Sequence, residues 1–510
     1  MGISRIGCRA QWGLAAPEVA VEVHLGAGLP CFHIVGLPAT EVKESRDRVR
    51  AALTNSGFDI PAGRITVNLA PADLPKDGGR FDLAIALGIL VASGQLTPQR
   101  SLADTEFLGE LGLDGHLRAV RGALPAIVAA GRAGRRIVTP PLAPAALVGL
   151  SGIELHQAGS LLAVCAWLEG RALEEPQIEI LSSVVSRSTA SPSLDDVYGQ
   201  GLGKRALEVA AAGGHSLLMV GPPGCGKSLL AARLSSLLPP LAADEALEIA
   251  MIASVAAPLR ALGEQSSPLG RPFRAPHHTV STSALVGGGP AAQPGEITLA
   301  HRGVLFLDEL PEFDRRSLEA LREPLETGRV SVVRVGAQAD YPAAFQLVAA
   351  MNPCPCGLQG VRGGRCRCRP ADINRYQARL SGPLLDRLDL RITLEAVSEA
   401  ERAERGQGLE PTLRHEAIRR RVAAARERQH QRQGRLNAAL EPAKVEELPL
   451  SAAACSRLAH ARRAWSLGLR AEHRLLRVAR TVADLAASET VEEEHLAFAL
   501  SLRRTAAATG

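Results

Sequence analysis

The sequence predicts an α/β fold, and three observations carry that prediction. Between residues 198 and 395, the β-type runs SLLMVG, GVLFLDE and FQLVAAMN alternate with Ala/Leu-rich helical stretches, which is the pattern of a parallel sheet covered by helices. The first run feeds a glycine-rich turn that opens directly into a helix, LLMVGPPGCGKSLLAARL. After residue 395 the chain is almost entirely Ala, Arg, Leu and Glu at helical spacing, so a helical unit follows the sheet.

Composition fits such a protein. The 510 residues are 46% hydrophobic and 22% charged, enough to bury about three separate cores. No apolar run reaches bilayer length, and the N-terminus MGISRIGCRAQWG lacks the apolar stretch of a signal peptide. A cytoplasmic protein with no membrane partner is therefore expected. In that reducing compartment, the nine cysteines are read as metal ligands where clustered and as core where scattered, as at Cys165. The net charge of +5 is too mild to prove a nucleic-acid partner. Residues 414–435, RHEAIRRRVAAARERQHQRQGR, are densely basic, and charge alone favours a solvated helix face there over a DNA-binding one.

Composition shifts divide the chain. Residues 1–170 alternate short apolar runs (VAVEVHLG, RITVNLAP, RRIVTPP) with helical stretches such as FDLAIALGILVASG, predicting an α/β or α+β domain. Residues 171–197 are rich in Ser, Thr and Pro and read as a linker. The α/β core spans 198–395 and the helical unit 396–510. Thr490 followed by Glu493 predicts a capping box before HLAFALSL.

The turn after SLLMVG has a specific chemistry. Gly221, Pro222, Pro223, Gly224, Cys225, Gly226, Lys227, Ser228 and Leu229 form a P-loop, in which glycines let backbone N–H groups and a helix N-terminus wrap a phosphate chain. Lys227 would reach the β- and γ-phosphates of ATP, and the Ser228 hydroxyl would ligate Mg²⁺. GVLFLDELPEF ends a second strand in Asp308 and Glu309, at the sheet edge where the phosphates sit. Asp308 would hold the Mg²⁺ through its water shell, and Glu309 would orient and deprotonate the attacking water. FQLVAAMN ends in Asn352, placed to position that water.

Together these motifs resemble the AAA+ ATPases, in the clade of magnesium-chelatase motor subunits and MCM helicases. SGPLLDRLDLRITL is similar to that clade's arginine-finger segment, so the resemblance gives Arg387 to a neighbouring subunit's γ-phosphate and implies a homo-hexameric ring. LGLRAEHRLLRVARTVADL resembles the lid segment with the second sensor arginine; Arg470 matches best, with Arg474, Arg477 and Arg480 as competitors. DDVYGQ resembles the stretch packing on adenine, through Val197 and Tyr198. The Gly-rich insertion SALVGGGPAAQPGE and the hairpin GRVSVVRVGAQADYP match segments facing the ring's channel, where Arg329 and Arg334 would touch substrate.

The resemblance narrows with VGLPATEVKESRDRVRAALTNSGFDIPAGRITVNLAPADLPKDGGRFDLAIALGIL and APHHTVSTSALVGGGPAAQPGEITLAHRGVLFLDELPEF. These, with MNPCPCG, are similar to the ComM/YifB family of bacterial competence-related ATPases over nearly the whole chain. The architecture it implies is an AAA+ P-loop ATPase with an N-terminal Lon-protease-like (S5 domain 2-like) α+β domain and a C-terminal helical lid. In that N-terminal domain Arg80, in PKDGGRFD, stands near where the nucleophilic serine belongs, and AVRGALPAIVAA has no lysine. Without nucleophile and base, no peptidase activity is expected.

Cys354, Cys356, Cys366 and Cys368 lie between Asn352 and Arg387 as two C-x-C pairs, and four thiolates on one ion suit Zn²⁺. Arg362, Arg365, Arg367, Arg369 and Arg375 surround them and offer phosphate contacts. His277 and His278 are not read as metal ligands, because neighbours in an extended segment point to opposite sides. Two function classes follow. One is an ATP-dependent motor on branched or duplex DNA, acting in recombination or natural transformation with recombination proteins as partners; the other is a chelatase-like ATPase that remodels a protein or cofactor complex.

Overall fold

The computed structural model describes residues 2–503 apart from 37–38, 40–41, 43, 143–148, 173–191, 257–269, 290–291, 335–336, 362–364 and 397–413. Most of the expected linker, the start of the helical unit and Arg362 therefore lie outside the described residues.

The N-terminal region builds a seven-stranded sheet from β1 (Gly2–Arg9), β2 (Glu18–Gly26), β3 (Cys31–Val35), β4 (Arg64–Ala70), β5 (Thr105–Phe107), β6 (Arg136–Thr139) and β7 (Leu155–Gln157). Their spatial order is β3-β4-β2-β1-β5-β6-β7. β2 runs antiparallel to β1 and β4, while the other pairs are parallel. FDLAIALGILV becomes the helix Asp82–Ala92, buried on all sides from Asp82 to Leu90; a helix apolar all round has to lie inside the domain. Cys165 is buried in the same core.

The second sheet is wholly parallel. Its strands are β8 (Leu217–Val220), β9 (Phe273–Arg274), β10 (Val304–Leu307), β13 (Gln346–Met351) and β14 (Leu390–Thr393), in the order β9-β10-β13-β8-β14. Between β10 and β13 the hairpin β11 (Arg329–Arg334) and β12 (Ala337–Pro342) stands apart from this sheet. Parallel pairing of Val220 with Met351 and of Leu307 with Ala349 brings the ends of β8, β10 and β13 to one edge, which is where a ligand binds in such a sheet.

The C-terminal helices, Ala452–Trp465, Leu469–Leu485 and Glu493–Ser501, share one apolar core with β8, β13 and β14. One expectation needs correction. The last helix is capped by Glu492 with His495, not by Thr490 with Glu493. Val491 donates to Pro449 O and bridges Leu450, which keeps the chain extended past Thr490, so the helix starts later. The basic segment forms the expected helix, His415–Gln433, with Arg419, Arg420 and Arg428 exposed, while other arginines are paired inward. Arg421 pairs with Glu208 at 2.6 Å, Arg426 donates to Ala211 O, and Arg432 makes two bonds to Asp484. Burial pushes the Arg426 guanidinium down to about 10. Arg421 and Arg426 fasten the helix to the α/β core and Arg432 fastens it to the C-terminal helix Leu469–Leu485, where burial requires partners.

Candidate nucleotide site and cysteine cluster

The P-loop has the shape its glycines predict. Gly224 and Gly226 sit at φ of +75° and +92° with open space where a Cβ would stand, so backbone conformation and not crowding demands glycine there. Gly226 caps the helix Lys227–Leu237, whose first N–H groups have no partner within the helix and can face an anion. Lys227 lies along this loop. Its Nζ donates to Gly221 O at 2.7 Å, Pro222 O at 2.9 Å and Asn352 Oδ1 at 3.2 Å, so the end of β13 and the P-loop share one cation. Cys225 is buried, and burial raises its thiol.

Ser228 Oγ donates to Asp308 Oδ2 at 2.7 Å. Two hard oxygen donors at that spacing fit neighbouring positions around Mg²⁺, whose ligands lie at about 2.1 Å. Asp308 Oδ1 accepts from the Glu309 N–H at 2.9 Å. Glu309 is a non-glycine residue at φ +51°, ψ +45°, an uncommon conformation that follows directly from the strand end.

Sequence reasoning missed what holds the Glu309 side chain. His278 Nδ1 lies 3.0 Å from Glu309 Oε2. The expected opposition of His277 and His278 is overturned: their ring centroids are 4.1 Å apart. Val280 N donates to His277 O, so the segment turns instead of running extended. Gln200 was missed as well. It is also left-handed, at φ +52°, and its amide donates to Cys225 O and Glu395 O, tying the DDVYGQ segment to the P-loop. Val197 in that segment is buried in the core, Tyr198 is 44% exposed, and Leu229 is exposed.

Arg387 and Arg470 meet away from this edge. Both donate to Glu326 Oε1, at 2.5 Å and 2.9 Å. The competing lid arginines are committed inside the lid or against the sheet: Arg474 to Asp389 at 3.8 Å, Arg477 to Leu440 O, and Arg480 to Asp484 at 2.8 Å. Arg329 is exposed on the hairpin, and the Arg334 side chain lies outside the described residues. The hairpin is held from two directions, by Trp12 Nε1 donating to Gln338 O and by Tyr341 OH donating to Ala292 O.

The four cysteines of residues 354–368 converge, with all four sulfurs within 4.8 Å of one another. The separations Cys354–Cys356, Cys354–Cys366 and Cys356–Cys366 are 3.4, 3.8 and 3.6 Å. A tetrahedral ion with Zn–S bonds of about 2.3 Å requires sulfurs about 3.8 Å apart, so the donor set fits zinc. Backbone N–H groups of Leu358 and Arg367 hold the Cys356 thiol down to about 6. A backbone N–H at Cys356 lowers the Cys368 thiol, but the Cys356 sulfur, desolvation and the Cys354 sulfur together push it up to about 12. The loop is wedged against the nucleotide site: a Cβ on Gly357, at φ +77°, would stand 2.5 Å from Cδ of Pro223. Arg365, Arg367 and Arg369 are exposed around it.

In the N-terminal domain, Arg80 is buried. Its guanidinium donates to Gln11 Oε1 and Arg121 O, each at 2.6 Å, and burial pushes it down to about 10. PKDGGRFD and AVRGALPAIVAA are thereby brought together around a cation.

A parallel sheet with a P-loop, an acidic strand end beside it and a helical lid defines a magnesium-chelatase-type AAA+ chain. Comparison agrees: the profile described as magnesium chelatase, subunit ChlI matches residues 193–402, that of subunit ChlI of Mg-chelatase matches 21–142, and that of the ChlI C-terminal region matches 413–503. YifB of Salmonella typhimurium is 46% identical over 99% of this chain and 97% of its own. YifB of Escherichia coli is 47% identical over the same shares, and the competence protein ComM of Haemophilus influenzae is 45% identical over 99% of this chain and 98% of its own. The chain belongs to the ComM/YifB family of magnesium-chelatase-like AAA+ proteins.

Proposed function

We propose that this protein is a cytoplasmic, homo-hexameric ATPase that moves branched DNA during recombination or natural transformation. The observation that carries the ATPase part is the gathering of Lys227, Ser228, Asp308, Glu309 and Asn352 at one sheet edge. Ser228 and Asp308 would hold Mg²⁺, which neutralises phosphate charge when bound. Lys227 would leave its carbonyl partners for the β- and γ-phosphates, while Asn352 and Glu309 orient water and Glu309 takes its proton. Arg387 would complete the site from a neighbouring subunit, which makes the ring obligatory for turnover. Zn²⁺ on the four cysteines would brace the loop against Pro223. The N-terminal domain is read as a Lon-protease-like scaffold without peptidase activity, a reading supported by Arg80 near where the serine would belong.

The DNA part rests on similarity to a competence protein and on the exposed arginines of the cysteine loop, which suit phosphate contacts without base reading. The test is junction movement: purified protein with Mg²⁺-ATP on labelled three- and four-way DNA, at low and raised salt. Expected is ATP-dependent movement, with binding that falls steeply as salt rises. A hydrolysing hexamer that neither binds nor moves junctions would favour the second reading, remodelling of a protein or cofactor complex, for which the chelatase similarity speaks.

A further inference from the structure

Two arginines from distant parts of the chain share one carboxylate oxygen. Glu326 Oε1 accepts from Arg387 Nη2 at 2.5 Å and from Arg470 Nη2 at 2.9 Å. Glu326 lies on the short helix Arg322–Thr327, which leads into the hairpin strand β11. Arg387 follows the turn Gly382–Leu385 before β14, and Arg470 opens the lid helix Leu469–Leu485. One side chain thus ties together the α/β core, the lid and the approach to the hairpin.

The three side chains differ in freedom. The Arg387 side chain is only 9% exposed and Glu326 46%, whereas Arg470 is 66% exposed. Arg387 Nη1 is fixed by Pro383 O at 2.7 Å, and its buried Nε has no partner. Its fork is thus aimed by two acceptors, and Glu326 is the one that also holds Arg470. Removing that carboxylate would leave two adjacent guanidinium groups to repel each other, and each would lose the acceptor that sets its direction. Leu469, beside Arg470, is 64% exposed, so this corner presents apolar surface together with its cations, the composition of a contact between subunits.

From this we infer that Glu326 is a positioning residue, which holds Arg387 and Arg470 as a single unit so that one subunit delivers both to the same phosphate chain of its neighbour. Glu326 does not touch nucleotide; it acts through the arginines. The inference rests on the ATPase-ring reading above and deepens it. It also links the hairpin to hydrolysis, because any displacement of β11 that moves the Arg322–Thr327 helix moves both cations.

The experiment measures steady-state ATP hydrolysis by the full-length protein for wild type, Glu326→Gln, Glu326→Asp, Arg387→Ala and the double variant Glu326→Gln/Arg387→Ala. Thermal unfolding is followed in parallel. Expected is a fall in kcat of roughly tenfold to a hundredfold for Glu326→Gln, the scale of misplacing a catalytic group by about 1 Å, with KM for ATP changed far less. Glu326→Asp should recover part of the loss. The double variant should lose much less than the product of the two single losses, because with Arg387 gone only Arg470 is left for Glu326 to position. A Glu326→Gln kcat at or above wild type, or losses that multiply in the double variant, would overturn the inference while leaving the ATPase intact. A wild-type ring that does not hydrolyse ATP would instead sink the underlying reading.

Discussion

The loops of residues 75–82 and 221–228 are both glycine-rich turns leading into a helix, yet they end in opposite chemistry. In the first, Arg80 is sealed in the core, its guanidinium bonded to Gln11 and Arg121 O. In the second, Ser228 and Glu309 are exposed and Asp308 is partly so, and Lys227 is held by loop carbonyls, the Cys225 sulfur and an amide, which a phosphate can replace. A loop keeps its shape as long as its glycines and backbone partners persist. Chemistry is a separate matter, decided by whether charged groups remain reachable and can exchange partners.

The largest way to break that comparison is at the P-loop itself. Lys227→Ala and Glu309→Gln should each lower ATP hydrolysis by at least about a hundredfold, for different reasons. The first leaves phosphate charge uncompensated and should weaken ATP binding; the second should keep ATP bound, which a filter-binding or calorimetric measurement distinguishes from turnover. Near-normal hydrolysis by Glu309→Gln would mean that the exposed carboxylate is not the base.

A smaller effect is expected from the cysteine loop, which sharpens the comparison by asking what keeps the second site open. Gly357→Ala forces a side chain into left-handed backbone against Pro223 and should weaken ATP binding by roughly tenfold, since about 1–2 kcal/mol of strain falls on the P-loop. Cys366→Ser should lose most of about one zinc per chain and weaken ATP binding in the same direction. ATP affinity unchanged by loss of zinc would separate the two sites.

How much of this was readable in sequence follows the same division. The P-loop, Asp308, Asn352 and the four cysteines are short-range patterns whose chemistry is written in residue type and spacing, and the fold brings them together where the parallel register requires. Contacts between distant segments were not readable. Nothing in the spacing of His278 and Glu309, of Gln200 and Cys225, or of Glu326, Arg387 and Arg470 announces that they meet, because each pair is joined by turns or by the packing of separate units. The basic helix shows the converse: its charge was plain, but whether those arginines face solvent depends on Glu208 and Asp484, which come from other elements.

The smallest expected effect on turnover comes from the first loop. Under the proposed Lon-like reading, Arg80→Ser puts a hydroxyl near where a hydrolytic serine would belong, yet no lysine lies in the adjoining AVRGALPAIVAA segment to take its proton. ATP hydrolysis should stay within about twofold of wild type, because the hydrogen bonds of the Arg80 guanidinium go to Gln11 and Arg121 in its own domain, and sites that share no partner act independently. Stability should suffer instead. Gln11 and Arg121 O lose a buried donor and a cavity opens, together costing about 2–3 kcal/mol, or a fall of about 5–10 °C in the unfolding transition of the N-terminal domain. Scanning calorimetry measures that shift, and incubation with casein and ATP measures the activity. Casein cleavage by Arg80→Ser would show that the first loop is a catalytic site lacking only its nucleophile, and the contrast between the two loops would reduce to a single side chain.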